Sequence, residues 1–282
     1  MSNLLIASGT FGFLAIAVGL AYHFAGLAVF NALVPKDRGS KRIASGIAFG
    51  PEPRQHLDLY APKGAGPFPV LAFVYGGSWD SGAKEDYAFV GRALAAQGYV
   101  VAIADYRLVP HIHYPAFVDD VAQAITWLLA HAADYGGDPQ RLFAIGHSAG
   151  AYNLVQAMLR HDLGPSIRAI TVLAGPFDFL PLDSPKSIAA FAQAGDLAET
   201  QPVNADLSQA PPMLLLHGAD DRTVYPRNSQ ALHAALNRAG RPAQLTLYDG
   251  IGHVGIMLAL STLLRNRAPV LADAIAFFQK YD

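Results

Sequence analysis

The sequence predicts an α/β domain built on a mainly parallel sheet with helices on both faces, preceded by an N-terminal hydrophobic helix. Three observations predict it. From residue 43 to the C-terminus, apolar runs of strand length alternate with segments of helical spacing, the pattern of strands joined by crossover helices. Several runs, such as Pro69–Tyr75 and Tyr99–Ala104, are apolar throughout, as strands covered on both faces should be. Finally, the stretch from Leu4 to Val34 contains no Asp, Glu, Lys or Arg.

That first stretch is longer than the about 20 apolar residues that cross a bilayer core. A cleaved secretory signal competes, but Met1–Asn3 carry no positive charge and a signal core runs only about 7–15 residues. A buried core helix is a third reading. The expectation is an uncleaved membrane anchor through residues 4–34. The chain then divides into an anchor or signal segment, 1–35, and a globular domain, 36–282. Lys36, Arg38, Lys41 and Arg42 follow the stretch and no Lys or Arg precedes it. The positive-inside rule places the domain in the cytoplasm, with export as the alternative.

The domain's elements follow in order. Residues 43–49 and 56–60 read as short strands split by the turn-rich Gly50–Pro53. Pro69–Tyr75 is a buried strand ending in Gly76-Gly77, and Ala88–Gln97 a helix closed by Gly98. The strand Tyr99–Ala104 leads to a helix over Pro115–His131, with proline near its start. Arg141–Ile145 is a strand, Ala149–Leu159 a helix and Ile167–Leu173 a strand. Met213–Leu216 and Gln244–Tyr248 are strands around a helix at 228–239, and the last helix covers 269–280. Residues 176–211 break the rhythm with five prolines, among them Pro176, Pro185 and Pro202, and Pro212 follows directly. Insertions in such sheets sit above the carboxyl ends of the strands, where ligands bind, so this region is either a small lid or a surface connection.

Composition narrows the function. Hydrophobic residues make up 52% of the 282 and charged residues 15%, with a mean hydropathy of +0.25. A net charge of −2 gives no reason to expect nucleic acid as a partner. The absence of cysteine excludes disulfides, thiolate catalysis and cysteine-based zinc sites.

The chemistry concentrates in Gly146-His147-Ser148-Ala149-Gly150, which follows an apolar strand and opens a helix. That context makes it a G-x-S-x-G nucleophile elbow, with Ser148 exposed on a sharp turn and glycines where bulky neighbours would clash. The turn aims the Ala149 amide at a developing oxyanion beside the positive end of a helix. A serine hydroxyl needs a base within reach. Among the later histidines, His161 and His233 fall within or at the ends of helices and His217 ends a strand. His253 follows the last strand in the glycine-rich Asp249–His253 loop, where the base is expected. The acid should follow the penultimate strand, where Asp220 and Asp221 compete. One would orient the imidazole and the other cap the turn. Tyr75-Gly76-Gly77-Ser78-Trp79, directly after a buried strand, is placed to supply further oxyanion donors.

Together these residues resemble the bacterial carboxylesterases of the α/β-hydrolase superfamily, in particular the feruloyl-esterase-like and hormone-sensitive-lipase-like group. The resemblance runs from about Ile43 to the C-terminus and includes Tyr75–Trp79, Asp105-Tyr106-Arg107-Leu108, Gly136-Gly137-Asp138-Pro139, the elbow and His217–Val224. It implies an α/β-hydrolase fold and a serine esterase forming an acyl-enzyme from a small-molecule ester, with no metal or organic cofactor. The family's H-G-x-x-D-x-x-V pattern matches His217, Gly218, Asp221 and Val224 and selects Asp221 over Asp220. Its oxyanion donors carry over to the amides of Gly77, Ser78 and Ala149. One departure stands out: Tyr75 occupies the place of the first histidine in the family's H-G-G-x-W. Two rival readings keep the fold, an aryl formamidase or amidase using the same site and a non-catalytic binding module.

Overall fold

The computed structural model describes residues 26–282. Most of the expected membrane anchor, 4–34, therefore lies outside the described residues. Among those described, no helix is long and apolar enough to cross a membrane. Residues 26–33 form a helix, α1, that packs on the domain.

Eight strands form one sheet. In chain order they are β1 (Ser40–Ala48), β2 (His56–Pro62), β3 (Phe68–Val74), β4 (Val100–Ala104), β5 (Gly137–His147), β6 (Ala169–Leu173), β7 (Met213–Gly218) and β8 (Ala243–Tyr248). Their spatial order is β1-β2-β4-β3-β5-β6-β7-β8. The β1–β2 and β2–β4 pairings are antiparallel, and the other five are parallel. Sequence pattern locates these strands to within a few residues. The chief extension is β5, whose first residues Gly137 and Asp138 pair with Phe68 and Pro69 before a register irregularity.

The helices are α2 (Ala88–Ala95), α3 (Ala116–His131), α4 (Ala149–Arg160), α5 (Pro185–Ala190), α6 (Arg227–Arg238), α7 (His253–Leu258) and α8 (Val270–Gln279). Strand alternation assigns them to two faces. Leu57, Ala72, Val74, Ala102 and Ala104 meet Val121, Ile125 and Leu128 of α3, and α4 packs beside α3. On the opposite face, the Tyr60 ring lies on Gly91 of α2 and Phe143 lies 4.9 Å from Phe278 of α8. Both faces are covered, which is why β3 and β4 read as continuous apolar runs rather than alternating ones.

Residues 176–211 pack as a folded insertion around α5. Ser184 and Ser187 form a capping box at its start. Phe179 and Phe191 close on Trp79, with ring centroids 6.2 and 5.1 Å away, and the Thr200 carbonyl accepts from Tyr152 and Gln156 of α4. His113 ties the preceding loop to it through the Ala189 carbonyl, 2.7 Å away.

Candidate active site

The site lies at the carboxyl ends of the central strands, where ligands bind in open parallel sheets. Strand β5 ends at His147, and the chain reverses through Ser148 at φ 55°, ψ −127° into α4. A non-glycine residue held there stores about 1–3 kcal/mol of strain, and such strain concentrates at functional sites. The flanking glycines have a steric cause. A Cβ on Gly150 would lie 2.2 Å from the Tyr75 carbonyl oxygen, and one on Gly146 2.5 Å from the Ala151 Cα. The neighbouring backbone leaves room for neither.

Three loops converge on the serine. The Ser148 hydroxyl lies 2.8 Å from His253 Nε2, and His253 Nδ1 lies 2.7 Å from Asp221 Oδ2. A carboxylate only accepts, so Nδ1 carries the proton and Nε2 is left to accept from the serine. The other Asp221 oxygen accepts from the amides of Thr223 and Val224 at 2.8 and 2.9 Å. Burial acts to raise the Asp221 pKa, but hydrogen bonds from His217 and His253, the positive charge His253 can carry and the Val224 amide outweigh it. The carboxyl is held well below its usual range. Asp220 is exposed, so the structure places Asp221, not its neighbour, at the imidazole.

His217 is fully buried at the end of β7. Its Nε2 donates to the Val224 carbonyl at 2.8 Å and lies 3.3 Å from Asp221 Oδ2, while Ser229 bonds Nδ1. It braces the turn that carries Asp221. His161, paired with Asp119, and His233 are away from the site. His253 differs from expectation in one respect. It does not end a loop but opens α7, with Gly252 in extended backbone at the N-cap.

His147, which sequence reasoning passed over, is 5% exposed. Its Nε2–H donates to the His253 carbonyl at 3.1 Å, so it ties the turn at Ser148 to the His253 peptide. Its Nδ1 has no partner among the described residues. Burial, and secondly the nearby His253, push its pKa down from 6.5 to about 3. It is therefore neutral beside His253.

The loop after β3 carries Gly77, Ser78 and Trp79, all at positive φ. Gly76, Gly77, Ser78, His147, Ser148 and His253 border one cavity. Ala149 is the first residue of α4, where an amide has no partner within its own helix. Trp79 is fastened by Nε1–H to Asn153 Oδ1 of α4 at 2.9 Å. Tyr75, the departure from the family pattern, is fully buried and donates to Asp105 Oδ1 at 2.5 Å. Arg54 donates both to the Tyr75 hydroxyl (3.0 Å) and to the Gly82 carbonyl (2.8 Å), closing the two ends of the 75–82 loop like a buckle. The Tyr75 and Tyr106 rings stack at 5.0 Å. Burial, then the adjacent Asp105 charge, keep the Tyr75 phenol protonated far above its ordinary range. Arg54 gave no sequence signal, because nothing in spacing links it to a loop more than 20 residues away.

Comparison with known proteins places this geometry in context. The BD-FAE family model matches residues 57–236. A probable isoprenylcysteine alpha-carbonyl methylesterase of Arabidopsis thaliana is 30% identical over 251 residues, covering 78% of this chain and 52% of that protein. Esterase LipC of Mycobacterium tuberculosis is 29% identical over 263 residues, covering 82% of this chain and 63% of LipC. The chain thus spans about half to two thirds of the length of these curated relatives. Among solved structures, a phosphonate-inhibited esterase B from Lactobacillus rhamnosis superposes with a TM-score of 0.78 at 18% identity, covering 100% of this chain and 96% of the other. A hormone-sensitive lipase from a metagenome library gives 0.74 at 23% identity, covering 92% and 91%. Both likenesses show the α/β-hydrolase fold.

Proposed function

The chain belongs to the BD-FAE family, and from that premise we propose that it is a carboxylic ester hydrolase acting through Ser148, His253 and Asp221. The observation that carries this reading is the continuous hydrogen-bonded line from the serine hydroxyl through the imidazole to a buried carboxylate. Esterase relatives across most of the chain support the bond type.

In this mechanism His253 Nε2 takes the Ser148 proton as the oxygen attacks the ester carbonyl. Asp221 keeps the imidazole in the tautomer that accepts at Nε2 and stabilises the imidazolium that forms. The amides of Gly77, Ser78 and Ala149 stabilise the tetrahedral oxyanion, and one such donor contributes about 3 kcal/mol to lowering the barrier. His253 then gives its proton to the leaving alkoxide. The acyl-enzyme is cleaved by water with the same imidazole as base. His147, neutral beside His253, adds no charge that would oppose protonation of the base.

The test is Ser148→Ala. Hydrolysis of p-nitrophenyl butyrate should fall by about 10³-fold or more, and labelling by a fluorophosphonate should vanish. Near-wild-type turnover by the variant would refute the assignment.

A further inference from the structure

We infer that α1 is part of the substrate site and that Leu27 and Phe30 form the wall receiving an extended apolar chain of the ester. The inference rests on the esterase reading above and adds the substrate class to it. The cavity at Ser148 and His253 holds about 550 Å³ and reaches to Leu27 and Phe30. That volume suits a ligand of tens of atoms, far more than an acetyl group needs. The walls differ in chemistry. Helices α1 and α7 present Leu27, Phe30, Val254, Met257 and Leu258 to it, all hydrocarbon or thioether. The polar groups Ser81, Asp86 and Thr223 come from other segments.

Helix α1 is oriented for this role. Leu27 and Phe30, three residues apart, share one side and line the cavity. Val29 and Leu33 are 52% and 79% exposed. The helix is also mounted firmly. The Asn31 amide donates to the Glu85 carbonyl at 2.8 Å and accepts from the Phe89 N–H at 3.0 Å. Phe30 meets the Phe89 ring edge-on at 5.3 Å. Just beyond the helix, Val34 is buried and Asp37 takes a two-pronged ion pair from Arg265 at 2.9 and 3.0 Å. A wall held at several points keeps its shape when a ligand enters, which is what selection by chain length requires. The segment also precedes the family-matched region, which begins at residue 57.

The experiment uses the full-length chain in one fixed non-ionic detergent. It reads kcat/KM over two graded series, p-nitrophenyl alkanoates and n-alkyl acetates, so that a chain on either side of the ester is detected. In one series the wild type should gain up to about fourfold per methylene over several carbons. Leu27→Ala/Phe30→Ala should shrink the ratio of eight-carbon to two-carbon chains at least tenfold. Phe30→Trp, which fills the same space, should move the optimum to shorter chains. Val29→Ala and Leu33→Ala, on the exposed side, should leave the profile as it is. An unchanged chain-length ratio in both cavity-facing variants, with short esters still cleaved, overturns this inference and leaves the esterase reading standing. If the wild type cleaves no ester in either series, both fall together.

Discussion

His147 is held neutral by burial, with its pKa pushed down to about 3 against an ordinary 6.5, and this fixes a direction for acid stability. Between those two values the unfolded chain binds a proton at this residue and the folded chain does not. Stability then rises with pH and falls on acidification. From neutral pH down to 4.5 the loss works out at about 2–3 kcal/mol, two pH units at about 1.4 kcal/mol each. Asp221 does not confuse this window. Its folded pKa lies below the usual carboxylate range, so the stability it contributes is present above about pH 4 and is lost only below it. The perturbation is His147→Gln, which keeps a donor for the His253 carbonyl but does not titrate. Urea unfolding, followed by the fluorescence of Trp79 and Trp127, gives ΔG at pH 7, 5.5 and 4.5 by linear extrapolation. The variant's stability at pH 7 is its own baseline, and the other histidines are common to both proteins. Wild type should lose about 2–3 kcal/mol more than His147→Gln between pH 7 and 4.5. Equal losses would refute the reasoning and show that the imidazole is reached by protons in the folded state.

Two further outcomes follow from the site. Asp221→Asn should lower kcat about 10³–10⁴-fold by releasing the imidazole tautomer, whereas Asp220→Asn, at an exposed side chain, should stay within about twofold. Steady-state kinetics of the pair decides which carboxylate serves the base. Tyr75→Phe removes the hydroxyl that joins Arg54 to Asp105 and should destabilise the fold by about 1–3 kcal/mol. If the buckle holds the oxyanion loop, kcat should fall about tenfold with KM unchanged. A loss of stability alone would make it merely structural.

Much of the molecule is legible in the chain because its signals are local. Strands β3 and β4 announce themselves by continuous apolar runs, and the elbow by a strand, a five-residue motif and a helix in immediate succession. The serine and histidine follow from chain order and from the rule that chemistry sits at the carboxyl ends of strands. Asp221 needed more. Spacing left it level with Asp220, a family pattern chose it, and the 2.7 Å contact with His253 agrees. Other features carry no local signal at all. Arg54 reaches across to Tyr75 and Gly82, and His147 meets the His253 carbonyl 106 positions away in the chain. Helix α1 reads in sequence as the tail of a uniformly apolar stretch. No periodicity separates Leu27 and Phe30, which line the cavity, from Val29 and Leu33, which face outward. The sequence alone determined the alternation of strands and helices, the turn at Ser148 and the place of His253 directly after the last strand, because each rests on neighbouring residues and backbone sterics. Only the tertiary structure decided how closely the Asp221 carboxylate approaches the imidazole, what fastens the 75–82 loop and what walls the cavity. Those depend on distances between segments far apart in the chain, which packing sets and local pattern does not encode.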